Sequence, residues 1–488
     1  MAIRPKIKSF GYATVLYGFS NLLTKIVAVT LIPIYTNYLT VYEVGIIILL
    51  EMIELFVVTL IPIGCVNAMW RYLPEAKGLE KNRIIISTFA TITISGILII
   101  GLLFLSKDYL NTVLNLSSND SLISFVLFSC FLKSVSSFIY WLLQYKNRAF
   151  FYLIISVVQF IALILLTIYF IVGCQSGVIG IYYAKAIVFS ILFIFTIITL
   201  IRKTPAIPSL RIINKLLSYG LPIIPLILLM PVLNVSDRYF LKIFVSVEEI
   251  GLYGIAYKFG MLINMFLVIP IQRSWGPQMF QVGNSAEESR NIHQDITFYY
   301  SFIGLFILLG LSFFSDAIIS VFANENYLLV SWLIPWISLA YFIGGFKIFF
   351  LASASLADRT DLFAKIGFYT ILVNIISNYF LIRDFGVEGA VASTILSYII
   401  LILLLLASSK NINQFNWPIK RIWHGALIAL LLIIVFQNIE HLIKDYEIII
   451  KCIFLFMFPI ISIITKLIGR KEINGLRFIW ESIFRKIV

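Results

Sequence analysis

The sequence predicts an all-α integral membrane protein of about fourteen transmembrane helices, arranged as two pseudo-symmetric six-helix lobes plus two C-terminal helices. Three observations lead there. Of its 488 residues 61% are hydrophobic and only 12% charged, against about 25% charged in an ordinary soluble domain. Apolar runs of roughly 20 residues, enough to cross a hydrocarbon core of about 30 Å, recur along the whole chain. Finally, three short motifs return in the same order after about 210 positions.

Taken in order, the expected helices lie near 10–35, 42–66, 84–106, 122–143, 151–172, 179–201, 213–236, 250–271, 297–319, 328–355, 363–382, 388–408, 422–440 and 448–468. Lysine and arginine alternate between the connections. Arg4, Lys6 and Lys8 precede the first helix, the first connection has none, and the second carries Arg71, Lys77, Lys81 and Arg83. By the positive-inside rule both termini are expected in the cytoplasm. The net charge of +13 is then largely topological, directed at lipid headgroups, and nucleic acid is not an expected partner because the basic residues are divided among short loops. The end of the chain, 470–488, mixes Arg470, Lys471, Arg477, Arg485 and Lys486 with Ile473, Leu476, Trp480 and Phe484, the composition of an amphipathic helix on the cytoplasmic surface.

The repeat begins with Thr40-Val41-Tyr42-Glu43-Val44-Gly45, which returns as Ser246-Val247-Glu248-Glu249-Ile250-Gly251. Asn147-Arg148 answers to Asp358-Arg359, and Gly177-Val178-Ile179-Gly180 to Gly386-Val387-Glu388-Gly389. Six helices per repeat, an even number, make the copies cross in the same direction, with an axis along the membrane normal and a cavity expected between them. The division is 1–206 for the N-lobe, 207–410 for the C-lobe, 411–469 for helices thirteen and fourteen and 470–488 for the tail.

No enzymatic machinery is evident. The P-loop pattern GxxxxGK[ST], the GxSxG elbow and the HExxH pair are absent from the sequence, and with them an ATP engine or hydrolytic centre. The four cysteines and three histidines are scattered without paired spacing, so neither a disulfide nor a metal site is expected. No cofactor is implied.

Six lysines, Lys25, Lys133, Lys185, Lys258, Lys347 and Lys451, stand inside apolar stretches. A lysine at the centre of a membrane helix costs about 2.5–3.5 kcal/mol on insertion scales, and such residues usually face a bundle interior or a watery path. Ser129, Lys133, Ser136, Tyr140 and Gln144 follow at helical steps and make one polar stripe. Thr14, Gly18, Asn21, Lys25 and Ala28 make another. Lys347 corresponds through the repeat to Ser136, one turn from Lys133, so the two lobes are expected to present lysines to one cavity. The expected substrate-binding residues are Lys25, Lys133, Lys258, Lys347, Asn21, Ser136 and Tyr140. Lys185 and Lys451, nearer helix ends, read better as snorkelling side chains.

Glu51 and Glu54 are three apart in helix two and project the same way. Both ionised would repel, which leaves pairing with Lys25 or Lys258, a bound cation, or a shared proton. They are thus a coupling site for protons or sodium, or plain ion-pair partners. Pro222, Pro225 and Pro231 crowd helix seven and mark it as a hinge.

The chain resembles the Wzx polysaccharide flippases, in the superfamily that also holds the MATE multidrug exporters and the lipid II flippases. Tyr17-Gly18, the stretch from Leu39 to Gly45, Arg71-Tyr72, Tyr219-Gly220-Leu221-Pro222, Asp237-Arg238 and Gly251-Leu252-Tyr253 carry the likeness over essentially the whole length. The resemblance implies two six-helix lobes that open alternately to each side. It further implies movement of a polyprenyl-diphosphate-linked oligosaccharide from the inner to the outer leaflet of a bacterial cytoplasmic membrane, for O-antigen, capsule or a related glycan, beside polymerase and other assembly proteins. Lys25 and Lys258 answer to cationic cavity positions of the lipid II branch. Glu51 and Glu54 stand where that branch has a basic residue, so its charge pattern does not transfer whole. A MATE-type ion-coupled exporter and a membrane polysaccharide polymerase are the alternatives. The excess of lysines in the spans argues against the first, which would favour acidic residues, and the longest outer connection, from Lys107 to Ser121, is short for the second, which commonly uses a sizeable outer loop.

Overall fold

The computed structural model describes residues 29–114, 120–272, 286–350, 361–409, 417–439 and 447–469. Asn21, Lys25, most of expected helix one and the tail from 470 to 488 lie outside them. Among the described residues there is no strand, and eleven helical segments are long and apolar enough to cross a membrane.

The helices that matter here are α1 (Ile32–Tyr38), α2 (Val41–Leu60), α3 (Cys65–Tyr72), α4 (Gly78–Leu105), α5 (Asp120–Ser136), α6 (Phe138–Tyr145), α7 (Ala149–Ile168), α8 (Gly177–Lys203), α9 (Leu210–Gly220), α10 (Ile224–Phe244) and α11 (Val247–Gly260). Beyond them come α12 (Ala286–Phe313), α13 (Leu333–Gly345), α14 (Asp361–Ser409), α15 (Ile419–Ile439) and α16 (Glu447–Ile464). The eleven spans cover expected helices two to six and eight to fourteen, with eleven and twelve run together as Lys365–Ser408. Gly386 separates that pair at φ 55° and ψ −130°, a conformation open essentially to glycine alone. Expected helix seven is divided: α9 ends at Gly220, Pro222 sits in a single 3₁₀ turn, and Pro225 opens α10, with Pro231 inside it. Proline fits a first helical turn because the N–H it lacks has no partner there.

Positions matched by the expected repeat are alike in backbone detail. At the start of α2, Thr40 N and Oγ1 donate to Glu43 Oε2 at 2.9 and 3.0 Å, and Glu43 N donates back to Thr40 Oγ1 at 3.2 Å. At the start of α11, Ser246 N and Oγ donate to Glu249 Oε2 at 3.0 and 2.9 Å, with Glu249 N returning to Ser246 Oγ at 3.2 Å. Both are capping boxes that satisfy otherwise orphaned N–H groups. Gly177 and Gly386, matched by the repeat, both have positive φ, 61° and 55°.

The chain packs as two compact units. One is drawn from Met1–Lys258, Phe322–Tyr327 and Gly367–Ser397, the other from Phe259–Val321, Leu328–Ile366 and Tyr398–Val488. Packing units and sequence repeats are therefore different divisions of the chain, since α9, α10 and most of α11 pack with helices of the first repeat. In the first unit, α2 lies among α5, α8 and α10, with Ile48, Leu49 and Leu50 wholly buried. In the second, α12 packs on α13, α15 and α16. Tyr300 of α12 stacks on Phe342 at 5.5 Å and donates to its carbonyl oxygen at 2.6 Å. The ring is wholly buried and its hydroxyl still finds a partner, the usual condition for a core tyrosine.

Candidate functional site

A polar cluster crosses the apolar core of the first unit. Glu51 and Glu54 come from the middle of α2, Lys133 from the last turn of α5, Lys185 from α8 and Lys258 from the last turn of α11. Lys133 Nζ donates to Glu54 Oε1 at 2.6 Å and Lys185 Nζ to Glu54 Oε2 at 2.6 Å, so that one carboxylate bridges two ammonium groups. Lys258 Nζ donates to Glu51 Oε1 at 2.9 Å. Aromatic faces back the cations: Lys185 over Tyr182 at 4.6 Å, Lys258 over Tyr35 at 5.8 Å and Lys133 over Phe189 at 6.0 Å.

Exposure grades the cluster. The side chain of Glu54 is 7% exposed and that of Lys185 19%, whereas Lys133 reaches 38% and Glu51 35%. Each of the two ion-pair groups therefore has a buried member and an exposed one: Glu54 against Lys133, and Lys258, 10% exposed, against Glu51. Groups of this kind hold because each charge has a hydrogen-bonded opposite, and removing one leaves a buried charge uncompensated.

Asp237 and Arg238, near the end of α10, extend the cluster. Asp237 Oδ2 accepts from Tyr253 OH at 2.5 Å and its Oδ1 from the Arg238 backbone N at 2.9 Å. The Arg238 guanidinium lies 4.8 Å from the centre of the Tyr257 ring. Lys185 and Arg238 both act electrostatically on Glu51. The residues named carry four positive and three negative charges.

The expected pairing of Glu51 with Lys258 is present. Glu54 is held by Lys133 and Lys185, and the snorkelling reading of Lys185 is corrected: α8 packs on α2 so that Lys185 reaches inward to a carboxylate 131 positions away. Lys451 reaches back toward the start of its helix, the direction expected of a snorkelling side chain. It is 2% exposed and paired with Glu447 one turn earlier. Ser136 donates to the Lys133 carbonyl oxygen at 3.2 Å, and Tyr140 donates to Gln159 Oε1 at 2.6 Å. Among the described residues neither has a hydrogen bond to a charged group of the cluster. The helix tightens between α5 and α6, where Tyr140 N reaches Ser137 O at 3.0 Å, and the stripe does not continue straight. Lys347 belongs to the second unit, half-buried and without a hydrogen bond or ion pair among the described residues. Lys185, Arg238 and their tyrosines were missed by sequence reasoning. The signal available was the charge itself, since an ionisable residue inside a span is a functional candidate by default.

Helices of this length and apolarity, with an internal ionic cluster, define a multi-pass membrane protein. The model of the family "Polysaccharide biosynthesis protein" matches residues 12–283, and the chain belongs to that family. No curated protein matches it by sequence. Its fold is similar to that of a lipid II flippase, MurJ, in an inward closed conformation, with a TM-score of 0.73 at 17% identity over 94% of this chain and 98% of that one. It is also similar to an inward-facing multidrug resistance MATE family transporter of the MOP superfamily, with a TM-score of 0.59 at 14% identity over 82% of this chain and 94% of that one. A Vibrio cholerae MATE transporter, VcmN, gives 0.58 at 12% identity over 83% and 98%.

Proposed function

We propose that this protein carries a polyprenyl-diphosphate-linked oligosaccharide from the inner to the outer leaflet of the bacterial cytoplasmic membrane, by alternating access of the two six-helix repeats, 1–206 and 207–410. The observation that carries the reading is the cationic cluster of Lys133, Lys185, Lys258 and Arg238 around Glu51 and Glu54 inside an apolar helix bundle, in a chain whose family is described by polysaccharide biosynthesis. A diphosphate with sugars attached calls for ammonium groups and hydroxyls in a wet cavity, while a prenyl tail can stay in lipid. Lysine offers point charge without the fixed geometry of arginine, which suits a site that must also release its cargo. No bond has to be made or broken, and the protein acts as a carrier rather than an enzyme.

Glu51 and Glu54 are the proposed place for coupling to protons or sodium. Protonating Glu54 would release Lys133 and Lys185 together, freeing two cations for the diphosphate. A MATE-like export of cationic compounds is less well served, because both oxygens of Glu54 are already taken by lysines. The O-antigen or capsule substrate, the cytoplasmic termini and association with a polymerase belong to the same proposal.

The test is leaflet transfer of a labelled polyprenyl-diphosphate oligosaccharide in vesicles holding the purified protein, beside empty vesicles. Transfer above the empty control supports the flippase reading. No transfer with any of several glycans and imposed proton or sodium gradients refutes it.

A further inference from the structure

Arg238 differs from the other cations of the cluster. Lys133, Lys185 and Lys258 each donate to a carboxylate. Arg238 is 7% exposed, and its guanidinium makes no hydrogen bond among the described residues, with Nε wholly enclosed and unpaired. The neighbouring acid acts on it by charge but makes no hydrogen bond to the guanidinium: Asp237 accepts from Tyr253 OH and from the Arg238 backbone N. Glu51 feels its charge but hydrogen-bonds Lys258. Buried polar groups are paired in the large majority of cases, and an exception needs an explanation.

The guanidinium is nonetheless held in place. Its central carbon lies over the Tyr257 ring, 4.8 Å from the centre, and that ring is anchored by the Tyr257 hydroxyl, which donates to the Asn234 carbonyl oxygen at 3.2 Å. A cation held over an aromatic face is attracted to it without using any N–H donor, so the guanidinium keeps its hydrogen-bonding capacity for an acceptor. A planar fork presented in this way matches two oxygens of a phosphate or carboxylate, a geometry that lysine cannot reproduce.

We propose that Arg238 is the docking point for an oxyanion of the transported headgroup, a phosphate or a carboxylate, which fills the hydrogen-bonding positions the protein leaves open on the guanidinium. This rests on the flippase reading for the identity of the cargo, but not for the binding of the anion. Phosphate would come from the lipid diphosphate, and carboxylate from an acidic sugar. Glu51, on which Arg238 acts electrostatically, has 35% of its side chain exposed.

The experiment uses the full-length protein in vesicles with two lipid-linked glycans, one neutral and one bearing a uronic acid. Arg238→Lys keeps the charge and loses the fork. Its half-saturation concentration is expected to rise about tenfold, the equivalent of one lost bidentate contact. A rise for both glycans assigns the diphosphate, and a rise for the acidic glycan alone assigns the sugar carboxylate. Tyr257→Leu, which removes the ring and leaves the guanidinium, is expected to weaken the same substrate and decides the matter if Arg238→Lys does not fold. Unchanged half-saturation in the folded variants overturns the assignment. Should the wild type transfer neither glycan, the flippase reading fails, and Arg238 is then judged by thermal unfolding with inorganic pyrophosphate and with glucuronate. Stabilisation of the wild type that is lost in Arg238→Lys upholds it. Equal stabilisation of both proteins, or of neither, overturns it.

Discussion

Gly251 rests on the backbone of Gly45: a β-carbon built on Gly251 would stand 2.9 Å from the Gly45 nitrogen and would run into the Val41 carbonyl oxygen. The contact is reciprocal. A β-carbon on Gly45 would meet the Val247 carbonyl oxygen and lie 2.7 Å from Val247 Cγ1. Gly45 and Gly251, like Val41 and Val247, are matched positions of the internal repeat, so each helix meets the other through the same residues. Gly251→Ala or Gly45→Ala should therefore cost about 1–3 kcal/mol by overpacking, measured by thermal unfolding in detergent. Gly101→Ala, where nothing lies within 4 Å, should be neutral or slightly stabilising.

Glu54 bridges two lysines, and Glu54→Gln should destabilise the protein by on the order of 3 kcal/mol, because Lys133 and Lys185 would both lose their counter-charge. The triple change that also replaces both lysines with Met should recover most of that loss. If it unfolds as readily as Glu54→Gln alone, the triad does not account for the effect.

Lys133 and Lys185 share one carboxylate but differ in exposure, 38% against 19% of the side chain. Lys133→Ala is expected to lower leaflet transfer with little change in unfolding temperature. Lys185→Ala should lower both. Intact complementation of a glycan-export defect by Lys133→Ala protein at normal membrane levels would separate Lys133 from cargo handling.

The two capping boxes offer a matched pair. Thr40→Ala and Ser246→Ala each remove the same reciprocal bonds and should each cost about 1 kcal/mol. A several-fold difference between them would show that the two helix starts are not energetically equivalent.

Proton coupling predicts that Glu54→Gln, where it still transfers, loses its response to an imposed proton gradient and that Glu51→Gln alters it less, since Glu51 holds a single lysine. A response unchanged in both variants leaves the two carboxylates a purely structural part.

Much of the fold was legible because its determinants are local. Apolar runs mark spans wherever lipid is the solvent, Gly386 breaks α14 between the two helices expected there, and Pro222 and Pro225 fall where α9 gives way to α10. The site was legible only in part. Glu51 and Lys258 could be paired from charge and helix face, whereas Lys185 meets Glu54 across 131 positions of sequence, a relation fixed by how α8 packs on α2. The stripe through Ser136 and Tyr140 assumed one unbroken helix, and the tight turn at Ser137 redirects Tyr140 to Gln159. Arg238 was visible as a charge but not as an unsatisfied one, since that depends on where Asp237 spends its oxygens.

The glycine seam between α2 and α11 also bears on ancestry. If the repeat arose from a half-length chain pairing with itself about a twofold axis, each substitution at the seam would have been felt twice, once on each face. Position 45 and position 251 would then have been a single codon under double constraint. Fusion released the copies to diverge, and the flanks have done so: Glu51 and Glu54 have no acidic counterparts at Tyr257 and Gly260. The bare backbone of the seam has stayed the same in both helices, whereas the two carboxylates of the ionic cluster stand in α2 alone of the pair.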